Sequence, residues 1–292
     1  MKRMENRKQR TVRGALDSIT GFLRLHYRKI AMGVLFAVVA VCAFFLGVQV
    51  GSRKGKSTET FSNKAVVHNA STKEPTVTDK LESTAVPEKE IYTFLQGPKS
   101  WGKRLKWSGE WGVNFYDGGS FGGFGCGLCC IANVYSSLTK YQCTPLDAYR
   151  YAKRKTDYQG GGAIGWGHMR QSLTSLGFDC GVAKKPDSYE AFRADIAEGQ
   201  SAIVLVSSAD SKCYWKDTPG HYVTIFLYDG ENEKVFLADS GDPEHNGHRV
   251  SLRKIYKSLK TASAWQYLLV KGYDEKEDQW KHKKAEGNWV KE

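Results

Sequence analysis

Between Ile30 and Gly51 the chain carries no charged residue in 22. That absence argues against a buried core helix, which seldom runs so long without one charge. At about 1.5 Å per residue the run spans the ~30 Å hydrocarbon core of a bilayer. Acids are nearly missing ahead of it: residues 1–29 hold nine Lys or Arg against Glu5 and Asp17, a local charge of +7 out of +12 for the whole chain. The basicity is therefore a topology signal, keeping the N-terminus in the cytoplasm, and gives no reason to invoke nucleic acid. An apolar run of 22 also exceeds the roughly 7–15 residues of a cleaved signal peptide, which favours a retained anchor with the bulk of the chain outside. Residues 52–90 have one aromatic, Phe61, and 11 Ser or Thr in 39, too little apolar surface to fold, and read as a stalk. No internal repeat is present. Gly160-Gly161-Gly162 has no following Lys-Ser or Lys-Thr, which excludes a phosphate loop. Glu244, His245 and His248 lack a Cys or carboxylate set at metal-site spacing, so no metal or other cofactor is implied.

All eight tryptophans lie beyond residue 90, and residues 91–275 read as one globular domain followed by a charged, frayed tail, 276–292. Leu128, Ile131, Ala132, Tyr135 and Leu138 recur at helical spacing and predict an amphipathic helix starting near Cys126. Thr144-Pro145-Leu146-Asp147 marks a second helix start. A third helix is expected from Trp166 to Leu176 and a fourth from Ser188 to Glu198, capped by Asp187 with Glu190. Strands follow: 201–206, 221–228, 234–239 and one around Leu268–Val270. Helices first and antiparallel strands later indicate an α+β fold. A turn at Asp229-Gly230-Glu231 would pair Tyr228 with Asn232 and set His221 directly across from Asp239.

The stretch Phe121 to Leu138, FGGFGCGLCCIANVYSSL, places three cysteines within five residues after a glycine run. Cys126, at the predicted helix start, has the backbone N–H groups that stabilise a thiolate. His221 would take its proton and Asp239 would orient the ring. Gly125 and Gly127 would allow a sharp turn and a close approach of substrate. Two other readings stand beside this one: a redox dithiol, Cys126 with Cys129, and a non-catalytic binding module with buried thiols. Six cysteines fall in the globular part, 126, 129, 130, 143, 180 and 213, with connectivity not legible. His168 is expected in or near the cleft in a structural role. The Trp- and Lys-rich run WGKRLKWSGEW, residues 101–111, is either a binding surface or a solvated basic edge.

GCGLCCIANVYSSL, Gly220-His221-Tyr222-Val223 and Ala238-Asp239-Ser240 together resemble papain-fold cysteine peptidases of the bacteriocin-leader-processing type and their secreted or membrane-anchored relatives, over roughly Tyr92 to Val270. The resemblance implies a papain-like fold, a Cys126 nucleophile, a His221 base and acid, Asp239 as orienting residue, and peptide or protein as substrate. It also implies an oxyanion-binding amide from a Gln upstream of the Cys, for which Gln96 fits, with Asn114 as the alternative. The family's Gly-Cys-Gly is commonly followed by Pro and Thr, where Leu128 and Cys129 stand here. Its Asp is commonly followed by Pro, where Ser240 stands here.

Overall fold

The computed structural model describes residues 87–208 and 214–291. The expected membrane span, 30–51, the basic segment before it and nearly all of the stalk lie outside the described residues. Among those described, no helix is long and apolar enough to cross a membrane.

Local rules account for most helix starts. The second long helix, α4 (Pro145–Lys155), opens with Thr144 accepting from the Asp147 amide while Asp147 accepts from the Thr144 amide, with proline at the first position. Ahead of it come a single turn α1 (Pro98–Gly102), the two-residue strands β1 (Phe115–Tyr116) and β2 (Gly119–Ser120), the turn α2 (Phe121–Phe124) and the central helix α3 (Cys126–Leu138). The helix α5 (Trp166–Ser175) ends where Gly177, at φ +84°, starts the next strand. The helix α6 (Tyr189–Ala197) is capped by Ser188, whose hydroxyl accepts from the Ala191 amide, and not by Asp187 as expected.

One antiparallel sheet carries the second half. Its strands are β3 (Leu176–Ala183), β4 (Ser201–Val206), β5 (His221–Asp229), β6 (Lys234–Ala238), β7 (His248–Ser251) and β8 (Tyr267–Asp278), in the order β3-β8-β4-β5-β6-β7, with α7 (Leu252–Ser258) after β7. β4 is buried along its whole length because both faces are covered. Ile203, Leu205, Tyr222, Phe226, Phe236, Leu268 and Val270 enter one core, with α3, α4 and α5. Ala202, Val204, Val223, Ile225, Leu237 and Leu269 enter another, under α6 and α7. This period-two division is the sheet's side-chain alternation. The α+β architecture with an antiparallel sheet agrees with expectation.

Three features differ from it. First, α3 is buried all round from Cys126 to Ser137 rather than along one stripe, because the sheet, α4 and α5 all pack on it. Second, the segment after β8 is not frayed. Trp280 stacks on Tyr151 and His282 at ring separations of 4.5 and 4.3 Å, Trp289 packs on Phe94 and Trp107, and Val290 exchanges backbone hydrogen bonds with Trp107 and Ser108. Within the 101–111 run, Trp111 is a core residue and Trp107 packs beneath this strap. Third, the β5–β6 register is shifted. The turn closes on Asp229 paired with Lys234, and a bulge between Phe226 and Asp229, with Leu227 at φ 50°, restores Thr224 opposite Ala238. Extended along that ladder, Asp239 lies opposite Val223, two residues from His221. The expected direct opposition is replaced by a diagonal one on the same face.

Candidate active site

Cys126 stands at the head of α3, and the α2 turn runs straight into it through Gly125, whose backbone is ordinary right-handed helix at φ −72°. The flanking glycines therefore serve packing rather than a sharp turn. A Cβ at Gly127 would sit 2.5 Å from Ile164 Cγ2 and 3.3 Å from Tyr222 Cδ2. Its absence lets the helix head settle against the start of β5, where His221 is. The backbone amides of Tyr222 and Gly127 both reach the Cys126 sulfur.

Burial alone would push the Cys126 thiol up. The hydrogen bond and charge of His221, with the two amides, more than reverse this and leave it below the ordinary thiol range. Burial would likewise lower His221, but hydrogen bonds to Asp239 and Cys126 and their negative charge raise it to about 10. The two groups favour each other's charged forms, so thiolate and imidazolium form a pair.

Asp239 follows the end of β6 and is fully buried, 0 % exposed. His221 Nε2–H donates to its Oδ1 at 2.7 Å, and the Gly241 and Asp242 amides donate to the same oxygen at 3.0 and 3.3 Å. Trp215 Nε1–H donates to Oδ2 at 2.6 Å. Burial would raise this carboxyl, but His221, His245 and Trp215 hold it well below the usual carboxylate range. With Nε2 committed to Asp239, Nδ1 is the ring nitrogen left for the sulfur.

Gln96 is brought to the same cleft. Its Nε2 donates to the Gly122 carbonyl at 3.0 Å, its Oε1 accepts from Ser240 Oγ at 2.7 Å, and its backbone N–H donates to the Ser240 carbonyl. The Ser240 hydroxyl thus decides which way the amide points and leaves its second N–H unspent. Cys129 is hydrogen-bonded to the same Ser240. Two of the three residues that depart from the family pattern, Cys129 and Ser240, therefore touch each other behind Gln96. Asn114 is exposed, its side chain bonds to Tyr116 within the strand turn, and it does not line the cleft. His168 does not line it either; it packs on Tyr158.

The cleft encloses about 590 Å³ and is lined by Gln96, Cys126, His221, Asp239, Trp215 and His245 among others. No protein-family model matches the chain, and no curated protein matches it. Among solved structures the chain is similar to the peptidase domain of Streptococcus ComA, a bifunctional ABC transporter involved in a quorum-sensing pathway. Identity is 16 %, with 50 % of this chain and 90 % of that chain covered at a TM-score of 0.35. It is also similar to a putative C39-like peptidase from Bacillus anthracis, with 12 % identity, 64 % and 97 % coverage and a TM-score of 0.38. Likeness at this level carries no functional argument, which rests on the cleft itself.

Cys129 and Cys130 are fully buried and their thiols are pushed well above the ordinary range, chiefly by that burial. Cys126, 129, 130, 143 and 180 are all free; Cys213 lies outside the described residues. In a Cys126–Cys129 redox pair, Cys129 would have to attack a mixed disulfide on Cys126 as a thiolate, and its burial disfavours that form. Sequence reasoning missed Trp215 and His245 as partners of Asp239. Nothing local marks Trp215, since its segment reaches the cleft only through the return of β5. His245 sits in the PEHNGHR turn, and its ring faces Asp239 and Asp242.

Proposed function

We propose that the chain is a cysteine peptidase working through Cys126, His221 and Asp239. The observation that carries this reading is geometric: Cys126 at the head of a helix lines an open cleft with His221, whose ring is held 2.7 Å from the buried Asp239 carboxylate. A thiolate made at neutral pH by an adjacent imidazolium is what acyl transfer through sulfur requires.

The Cys126 thiolate attacks the peptide carbonyl carbon and the oxyanion forms. The Gln96 side-chain N–H left free by Gly122, with the Cys126 backbone N–H, stabilises that charge. The tetrahedral species collapses, the C–N bond breaks, and the His221 imidazolium gives its proton to the leaving amine. His221 then takes a proton from water, which attacks the thioester; the acid departs and the thiolate–imidazolium pair is restored. Asp239 stays ionised throughout and holds the ring. If an amine replaces that water, the same residues perform a transfer, which keeps transpeptidase chemistry within this proposal, and an amidase would differ only in the amide bond it hydrolyses. Residues 30–51 would anchor the enzyme in a membrane, with residues 1–29 cytoplasmic and the peptidase domain outside.

The test is Cys126→Ala. Fast iodoacetamide labelling at position 126 near neutral pH and hydrolysis of a peptide library should both vanish, with the thermal melt retained. Hydrolysis that survives the substitution overturns the proposal.

A further inference from the structure

The Asp239 carboxylate has a second imidazole beside it that the proposed chemistry does not use. His245 Nδ1 lies 3.6 Å from Asp239 Oδ2 and 3.4 Å from Asp242 Oδ2. That nitrogen is buried and has no hydrogen-bond partner at normal distance among the described residues; the polar atoms nearest to it there are two carboxylate oxygens. The ring is clamped from the other side by Tyr214, stacked at 4.2 Å and 22°. Trp215, edge-on to the same ring, donates to the same Asp239 oxygen. The charged and titratable groups facing His245 are thus Asp239 at the end of β6, Asp242 and Glu244 in the following loop, and Tyr214 ahead of β5. Lys254 on α7 lies over the Tyr214 ring at 5.2 Å.

Asp239 and Asp242 are tied by the loop between them, since the Asp242 amide donates to Asp239 Oδ1. Both carboxylates turn an oxygen toward one nitrogen. With both ring nitrogens protonated the two carboxylates share a cation. When the ring is neutral, even as the Nδ1–H tautomer, that charge is gone, the two anions are no longer offset, and the loop that supports Asp239 is pushed apart.

We propose that His245 is a positioning residue: as an imidazolium between Asp239 and Asp242 it holds the Asp239 carboxylate on His221, and loss of its proton slackens that hold. Only the catalytic consequence rests on the peptidase reading. The linkage between the two imidazoles exists whether or not the chain hydrolyses peptides. The close approach of the Asp239 carboxylate, the largest influence, raises the His245 pKa; burial would lower it, but the other nearby acids raise it further.

The experiment is a pH titration of the full chain labelled with ¹⁵N-histidine, comparing wild type, Asp242→Asn and His245→Gln. In the wild type, His245 should titrate above the ordinary value near 6.5, and the His221 ring signals should move over the same interval. Asp242→Asn should bring the His245 midpoint down by about one pH unit, since one of its two anionic neighbours is gone. His245→Gln should remove the linked step from the His221 signals while leaving their own titration. Where hydrolysis is measurable, kcat should drop about three- to tenfold across the His245 step with KM unchanged, and the step should be missing in His245→Gln. A His245 midpoint unmoved by Asp242→Asn, or His221 signals blind to the His245 titration, overturns the inference. Absence of hydrolysis with the linked titration intact defeats the peptidase reading and leaves this linkage standing.

Discussion

At Cys126 and His221 the decisive quantity is which protonation state of the pair prevails at a given pH. Cys126 is displaced down and His221 up to about 10, so the reactive pair holds between those two values. As the pH falls through the lowered thiol value, Cys126 is protonated and alkylation by iodoacetamide slows. As it rises toward 10, His221 loses the proton that the leaving amine needs. Hydrolysis is therefore expected to follow a bell with its alkaline limb near 10 and the smaller His245 step inside it, whereas alkylation lacks that alkaline fall. The stability linkage of Asp239 has the opposite sense to that of His221. Its folded pKa is depressed, so its contribution is present above about pH 4, the unfolded carboxyl value, and is lost as the pH drops toward the folded one. The amide of Gln96 is open to a separate check. Gln96→Ala should lower kcat by roughly 10²–10³ with little change in KM. Ser240→Ala, which removes the hydroxyl that fixes the amide's orientation, should cost about 1 kcal/mol, or fivefold in kcat. Steady-state kinetics on one peptide substrate separates the two.

Between elements, the contact of His221 with Asp239 was legible from the two strands and the turn between them, but the pairing that delivers it was not. The observed turn is odd in its displacement from the expected one, and by itself it would send the two side chains to opposite faces. The bulge at Leu227–Tyr228 supplies one more residue and restores the parity. No residue type announces a leucine at positive φ, so this correction is invisible before the strands are paired. Deleting Leu227 should keep the sheet, by circular dichroism, yet return Cys126 alkylation at pH 6.5 to the rate of an ordinary thiol. The α3 start was legible because helical spacing and the Cys-Gly pair coincide there. Its complete burial was not, since that depends on helices contributed later in the chain. β3 and β7 were missed for a similar reason. β3 carries Gly177, Asp179 and Gly181 and is exposed along its second half, and β7 begins with two exposed residues, so neither shows an apolar run.

Across the whole domain, the surprise is the strap formed by residues 279–291. Its composition, with four Lys and one Glu in 13 residues, reads as solvated, and only its two tryptophans hint otherwise. They pack on rings from α3, α4 and the segment around Phe94, contacts that a one-dimensional reading cannot assign. Trp280→Ala should lower unfolding free energy by about 2 kcal/mol, the worth of a large, partly buried side chain. A denaturant melt measures it, and the alkylation rate of Cys126 in buffer should stay unchanged.

That strap also sets a schedule. Trp107 pairs with Val290 across about 180 residues, and Leu95, next to Gln96, donates to the Trp107 carbonyl. Contacts so distant along a chain close late, after the entropy of a long loop has been overcome. During synthesis or export from N- to C-terminus, the segment from Leu95 to Trp107 therefore waits for Val290 to emerge. Until then the stretch that carries Gln96 lacks its outer support, and under the proposed function a half-emerged polypeptide would hold its thiol beside an amide seated only by Gly122 and Ser240.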